Sequence, residues 1–312
     1  MTTMKTARIH EFGDASVIRY DEVPRPRPGG GEVLIRVAAG SFNPTEAALR
    51  AGLLQAFLPV DLPYVPGWDV AGTVVEIGAG VEEYAFAVGD RVIGRLDGGG
   101  AAAAYVRAPA AVLTAAPESL PLAHAAALPV AGLTAWQAVF EHGRVSPGRR
   151  VLVNGAGGGV GGFVTPLAKH AGAEVIATAA PRSTEAVLRQ GADHVIDYTA
   201  RPVSAALDAP VDVLLNLVPL SGPDAAALVP LVRRGGRIVS IATPVVPPLD
   251  AGVSATHMVA RNDVADLRAL VDLVDAGVLR VDISASRPLA ELADVHRQSQ
   301  AGRIRGKVLI VP

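Results

Sequence analysis

The sequence predicts an α/β fold: a doubly wound parallel sheet joined to a smaller β-barrel-like domain. Three observations carry this. Residues from about 150 to 241 alternate strand and helix patterns, which argues for a parallel sheet with helices on both faces. The first strand of that series runs into a glycine-rich bend that opens a helix. Residues 1 to about 118 instead carry short strand-like runs broken by Gly and Pro. The expected domains are 1–118, completed by a returning tail at 258–312, and 119–257.

The elements follow in order. Glu32–Val37, Gly72–Ile77 and Asp90–Ile93 read as strands of the first domain. The loop Gly98–Ala104 reads as a surface connection, with a flexible lid as the alternative. Helical spacing begins near residue 119, with Leu122–Leu128 and Gly132–Glu141. Val151–Val153 is a short buried strand, and six glycines fall among the nine residues after it. Glycine lets the backbone turn tightly and lets a pyrophosphate approach, and the helix start at Phe163 offers unpaired N–H groups to phosphate. Then come strand Glu174–Thr178, helix Ser183–Gln190, strands His194–Asp197 and Val211–Asn216, helix Asp224–Val232 and strand Arg237–Ile241. The tail reads as helices Asp263–Ala276 and Leu289–Gln300 and a strand Gly306–Val311.

Composition narrows the function. At 312 residues the chain is long enough for two domains. The formal charge is −2 with no basic block, which argues against nucleic acid or an acidic membrane as partner. Cysteine is absent, so thiolate catalysis and cysteine-ligated zinc are excluded. The uncharged run Ser119–Phe140 is interrupted by Pro121, His124, Pro129, Gly132 and Gln137 and reads as buried core, not a membrane span. The N-terminus has no apolar signal core, so the expected location is the cytoplasm.

The nucleotide is read from the end of the second wound strand. NAD-binding units place an acidic side chain there for the ribose hydroxyls. Here Ala179 and Ala180 stand instead, followed by Arg182 and Ser183. An Arg hydrogen bond to a 2′-phosphate is worth about 1.5–3 kcal/mol, so NADPH is expected over NADH by roughly ten- to a hundredfold.

At this point the residues resemble a known family, the zinc-independent medium-chain dehydrogenase/reductases, specifically quinone oxidoreductases of the ζ-crystallin-like group. The marks are Asn43–Glu46, Pro66–Gly72, Val75–Gly80, Val88–Val92, Ala131–Trp136, the glycine loop, Gly191–Tyr198 and Gly306–Leu309. The resemblance implies a GroES-like barrel domain from both chain ends, a Rossmann domain between them, NADPH in the cleft where they meet, and a homodimer. It puts Gly155, Gly158, Gly159, Val160 and Gly161 at the pyrophosphate, Arg182, Ser183 and Tyr198 near the 2′-phosphate, and Ile241 and Ala242 near nicotinamide. It brings Asn43 and Thr134 to the nicotinamide or the substrate carbonyl as catalytic candidates, with Lys307 in the matching C-terminal stretch. Tyr64 and Trp68 are expected in the substrate wall.

No metal is expected. A catalytic zinc needs about three Cys, His or carboxylate ligands, and none of the seven histidines forms a close pair at ligand spacing. Relative to zinc-dependent relatives, the ligand positions are Asn43, Trp68 with Asp69, and Val130. Without a Lewis acid, reduction of an activated acceptor remains feasible. A quinone or an α,β-unsaturated carbonyl accepts hydride at carbon and gathers charge on an oxygen that needs only hydrogen-bond donors. Ala48 stands where many relatives carry a tyrosine, which weakens the alternative of enoyl-thioester reduction and leaves open a non-catalytic, NADPH-binding structural or sensing dimer.

Overall fold

A computed structural model describes residues 2–81 and 86–312. In chain order the first elements are β1 (Thr3–Ile9), β2 (Ile18–Pro24), β3 (Glu32–Ser41), α1 (Pro44–Arg50), β4 (Asp69–Ile77), β5 (Arg91–Arg95), β6 (Tyr105–Pro109), β7 (Leu113–Ala115) and α2 (Leu122–Ala125). The middle of the chain supplies α3 (Pro129–Trp136), β8 (Arg150–Asn154), α4 (Gly161–His170), β9 (Glu174–Ala179), α5 (Pro181–Arg189), β10 (His194–Asp197), α6 (Val203–Ala206), β11 (Val211–Asn216), α7 (Gly222–Ala226), β12 (Val232–Ser240) and β13 (Ser254–His257). The last part holds α8 (Val264–Asp275), β14 (Ile283–Pro288), α9 (Leu292–Gln300) and β15 (Lys307–Val311).

These fall into two compact units. The first is Met1–Val130 with Asn262–Asp275 and Ile283–Pro312; the second is Ala131–Arg261 with Ala276–Asp282. The border therefore lies at Val130, beyond the 118 expected from the change in pattern.

In the first unit, β3 is the hub of the seven-stranded sheet. Its start pairs antiparallel with β6, its end pairs with β15, and β4 runs along its other edge. The β15 register sets Leu309 opposite Ser41 and Ile310 opposite Gly40. Ile9, Phe42, Leu49, Leu292, Val295 and Ile310 share one core cluster, so the tail packs with the N-terminal strand and α1. Arg50 of α1 donates from Nε to His296 Nδ1 of α9 at 3.3 Å, both fully buried.

The Gly98–Ala104 loop corrects both readings of it. Ala101, Ala102 and Ala103 are core residues. Ala7 N–H donates to Ala102 O at 2.8 Å and Ala104 N–H to Lys5 O at 3.1 Å, so this stretch is stitched to β1. Alanine is small enough to lie between strands, and backbone pairing satisfies the buried amides.

The second unit is a six-stranded, all-parallel sheet of order β10-β9-β8-β11-β12-β13. Numbered from β8, that order is 3-2-1-4-5-6, the doubly wound arrangement whose strand order reverses between β8 and β11. Leu152, Ile176, Leu214 and Ile238 fill one face. Strand β13 was not expected. The helix expected over Asp224–Val232 stops at Ala226, because Pro230 has no N–H for a helix interior. A single 3-10 turn, Val229–Leu231, then feeds β12, which starts five residues earlier than Arg237.

Candidate functional site

Two arrangements stand out, one in each unit. In the second unit, β8 ends at Asn154 and the glycine bend follows at the reversal of strand order. Gly155 has φ +96°, a left-handed conformation that favours glycine, and a Cβ on it would meet Val218 at 2.4 Å. A Cβ on Gly161 would lie 2.3 Å from Ala156 O, so the helix start packs directly on the bend. Gly155 N–H is already spent on Thr178 Oγ1 at 2.8 Å and Gly158 N–H on Gly155 O at 3.2 Å. Among the amides left to face an anion are those at the entry to α4, Val160 at the N-cap and Gly161 after it.

Behind the bend runs a polar chain that sequence reasoning missed. Thr178 Oγ1 donates to Asn154 Oδ1 at 2.9 Å, and Asn154 Nδ2 to Asn216 Oδ1 at 2.9 Å. Asn216 Nδ2 donates to Ser240 Oγ at 3.0 Å, and Ser240 Oγ to Thr243 O at 2.6 Å. These residues lie at the C-terminal ends of β9, β8, β11 and β12, in the order in which the strands adjoin. The signal was present: apolar strands β8, β11 and β12 each end in a polar residue.

The residues expected at the cofactor spread along the same strand ends. Ser183 is buried against the bend, 2.6 Å from where a Gly157 Cβ would stand. Arg182, in the first turn of α5, and Tyr198, just past β10, are both exposed. The register opposes Asp197 to Ala179, so both residues follow the ends of adjacent strands. The nearby Asp197 carboxylate is turned onto Thr199, accepting from its N–H at 2.9 Å and its Oγ1 at 2.6 Å. Ile241 and Ala242 follow β12, and Thr134 is buried on α3.

The first unit holds a buried polar nest on Asn43, Asp69 and Lys307. Asn43 is the N-cap of α1 in position, with extended backbone and Pro44 behind it, but its side chain does not cap. Asn43 Nδ2 instead donates to Asp69 Oδ2 at 2.9 Å and Glu46 Oε1 at 3.2 Å. Its Oδ1 accepts from Lys307 Nζ at 2.8 Å. This fixes the amide orientation, since a flip would face the amide NH2 to an ammonium and its oxygen to two carboxylates. Ser41 Oγ donates to Asp69 Oδ2, and Val130 N–H donates to Asp69 Oδ1 at 2.7 Å. Lys307 Nζ also donates to Phe42 O at 3.2 Å and reaches Asp69 Oδ2 at 3.4 Å.

Asp69 is 0% and Lys307 3% exposed, so both charges lie out of water. Glu46 is equally buried and accepts Gly67 N–H at 3.0 Å. Burial, then the Asp69 charge, push the Glu46 carboxyl up to about 7. The expected direct contacts of Asn43 and Lys307 with cofactor meet a plain difficulty. Both amide hydrogens of Asn43 and the three donors of Lys307 are engaged inside the nest. Ser41, Glu46 and Asp69 were not singled out as site residues; an acid in the first turn of a helix reads from sequence as a solvated end charge.

Tyr64 and Trp68 do come together, Trp68 Nε1 donating to Tyr64 Oη at 3.1 Å. Tyr64 is largely core: its backbone pairs with Ile9 in both directions at 2.9 Å. Burial, and then the charge of Glu46, push its phenol well above the ordinary range.

Comparison with known proteins adds the following. Residues 29–118 match the family description "Alcohol dehydrogenase GroES-like domain" and residues 190–310 match "Zinc-binding dehydrogenase". The chain is 33% identical to the chloroplast envelope quinone oxidoreductase homolog of Arabidopsis thaliana, over 96% of this chain and 95% of that protein. It is 30% identical to the NADPH-dependent alkenal/one oxidoreductase of the same plant's chloroplast, over 99% of this chain and 80% of the relative. A mycobacterial structure complexed with NADPH superposes with a TM-score of 0.86 at 28% identity, covering 99% of this chain and 100% of the other.

Zinc, which one family description names, does not fit these residues. At the positions expected for ligands, Asn43 presents its oxygen to an ammonium, Val130 presents a backbone N–H, and Asp69 is the one anionic donor. Among the described residues, no group of three or more His, Cys, Asp or Glu gathers where an ion would be held. A pyridine nucleotide fits better: the bend at Gly155–Gly161 is a tight glycine turn with open helix-entry amides at the reversal of strand order.

Proposed function

This chain belongs to the quinone oxidoreductase group of the medium-chain dehydrogenase/reductases, and we propose that it reduces quinones or α,β-unsaturated carbonyls with hydride from NADPH. The observation that carries this reading is the glycine bend. It leaves the Val160 and Gly161 amides open beside a strand end, Ala179, that lacks a carboxylate.

Bound there, the reduced nicotinamide supplies the hydride. The chain's own part begins with the helix-entry amides, which hold the diphosphate through backbone donors and the positive end of α4. Arg182 and Tyr198, past the ends of β9 and β10, take the 2′-phosphate, and Ser183 braces the bend. Asp197 does not compete, because it is tied to Thr199. Ile241 and Ala242 line the nicotinamide end. The Thr178–Asn154–Asn216–Ser240 chain holds four strand ends in fixed register beneath these groups. In the other unit, Asn43 is held rigid by opposite charges on its two ends. Thr134, on α3 in the same unit as the bend, is the side-chain hydroxyl assigned to the developing oxyanion, and Tyr64 with Trp68 are the residues assigned to the acceptor's surroundings.

The relatives named above support this acceptor class. The reading also includes a cytoplasmic homodimer. No helix among the described residues is long and apolar enough to cross a membrane. The edge strand β13 is flanked by exposed Val246, Leu249 and Val259, which supports pairing with a second copy.

The test is loss of NADPH absorbance across a panel of quinones, enones and enoyl thioesters, repeated with NADH. Turnover on quinones or enones, with NADPH favoured roughly ten- to a hundredfold, is expected. Tight NADPH binding without oxidation of any acceptor would replace this reading with a non-catalytic one.

A further inference from the structure

The positions that hold zinc in zinc-dependent relatives converge here on an ammonium group. We propose that Lys307 is the resident cation of this site: a positioning residue whose charge neutralises Asp69 and locks the Asn43 amide. It supplies from the chain the positive charge that those relatives take from an ion. The inference deepens the reductase reading and rests on it only for its kinetic half.

The sheet register delivers the group. With Leu309 opposite Ser41, and Phe42 N–H donating to Val308 O at 2.9 Å, Lys307 comes alongside Asn43 at the end of β3. Its three donors meet three oxygens: Asn43 Oδ1 at 2.8 Å, Phe42 O at 3.2 Å and Asp69 Oδ2 at 3.4 Å. Asp69 is fully buried, and a carboxylate so placed is strongly unfavourable without a counter-charge. Glu46 places a second acid on the same amide nitrogen, and the Asp69 charge leaves the nest anionic unless a cation stands in it. The polarity of Asn43 records the same field, oxygen toward Lys307 and nitrogen toward the acids. A tethered cation cannot exchange, so the site has no use for an added metal.

The experiment removes the cation and returns it. Lys307→Ala deletes the atoms that propylammonium matches in length and charge; Lys307→Met removes the charge but fills the space. Both variants should lose about tenfold or more in kcat. Propylammonium should restore turnover to Lys307→Ala but not to Lys307→Met, and propanol to neither. Independently of turnover, propylammonium should raise the melting temperature of Lys307→Ala and leave the wild type unchanged. If the neutral variants fold only poorly, the refolding yield of Lys307→Ala should rise with the amine.

Wild-type kcat in Lys307→Met overturns the proposal. So does a Lys307→Ala protein whose turnover, melting and refolding all ignore the amine, or one equivalent of zinc retained by the purified wild type. A wild type that oxidises NADPH with no acceptor defeats the reductase reading alone; the melting comparison then still decides the assignment of the cation.

Discussion

Glu46 and His296 are buried ionisable groups that pull stability in opposite directions with pH. Burial and Asp69 raise the Glu46 carboxyl from 4.5 to about 7. The stability that its protonated form contributes is complete below pH 4.5, declines above that, and is lost as pH rises through 7. Burial, and then the Arg50 charge, lower His296 from 6.5 to about 3. Neutral His296 contributes stability above pH 6.5 that is lost as pH falls toward 3. Above pH 6.5 only the Glu46 effect remains of the two. Glu46→Gln, which mimics the protonated acid, should therefore flatten the decline in urea-unfolding stability between pH 6.5 and 8.5. At the upper end it should leave the variant ahead by a margin on the order of 1–3 kcal/mol. Parallel curves for the two proteins across that window would show that Glu46 is not the titrating group.

At the scale of elements, the glycine bend separates glycines required by packing from glycines that are not. A Cβ on Gly161 would drive into Ala156 O at 2.3 Å, whereas one on Gly158 would meet Gly155 O at an ordinary 3.5 Å. Gly161→Ala should lower the melting temperature of the unliganded protein by an amount equivalent to about 2 kcal/mol, with Gly158→Ala close to wild type. Equal melting of the two variants would refute this account of the loop. This bend was legible in the sequence because close backbone approach admits only glycine, and the alternation around it fixed the wound sheet. Pro230 was legible too, and the helix expected across it ignored the missing N–H. The Ala101–Ala103 stretch was not legible: alanines carry no period, and their burial comes from pairing with β1. Nor was the Thr178–Asn154–Asn216–Ser240 chain, whose links span 24, 62 and 24 residues and exist only through the order of strands.

For the whole molecule, the parallel sheet leaves β13 as an open edge with Val246, Leu249 and Val259 beside it. Such an edge is a template for a second strand. Light scattering after gel filtration should give a dimer, and Leu249→Lys with Val259→Asp should give a monomer that keeps its far-UV spectrum. A monomeric wild type would remove dimerisation from the proposed reading. The division into two units also explains why the nest was only half legible. Asn43, Glu46 and Asp69 lie in motifs that can be read locally, but the group that completes them enters from the far end of the chain.

That discontinuity has a consequence for synthesis. Lys307 is 264 residues from Asn43 in sequence, and at about 5–20 residues per second the ribosome delivers it some tens of seconds later. Through that interval the nascent first unit carries Asp69 and Glu46 without their counter-ion. The strands that surround them cannot close into the finished arrangement until translation has passed β15.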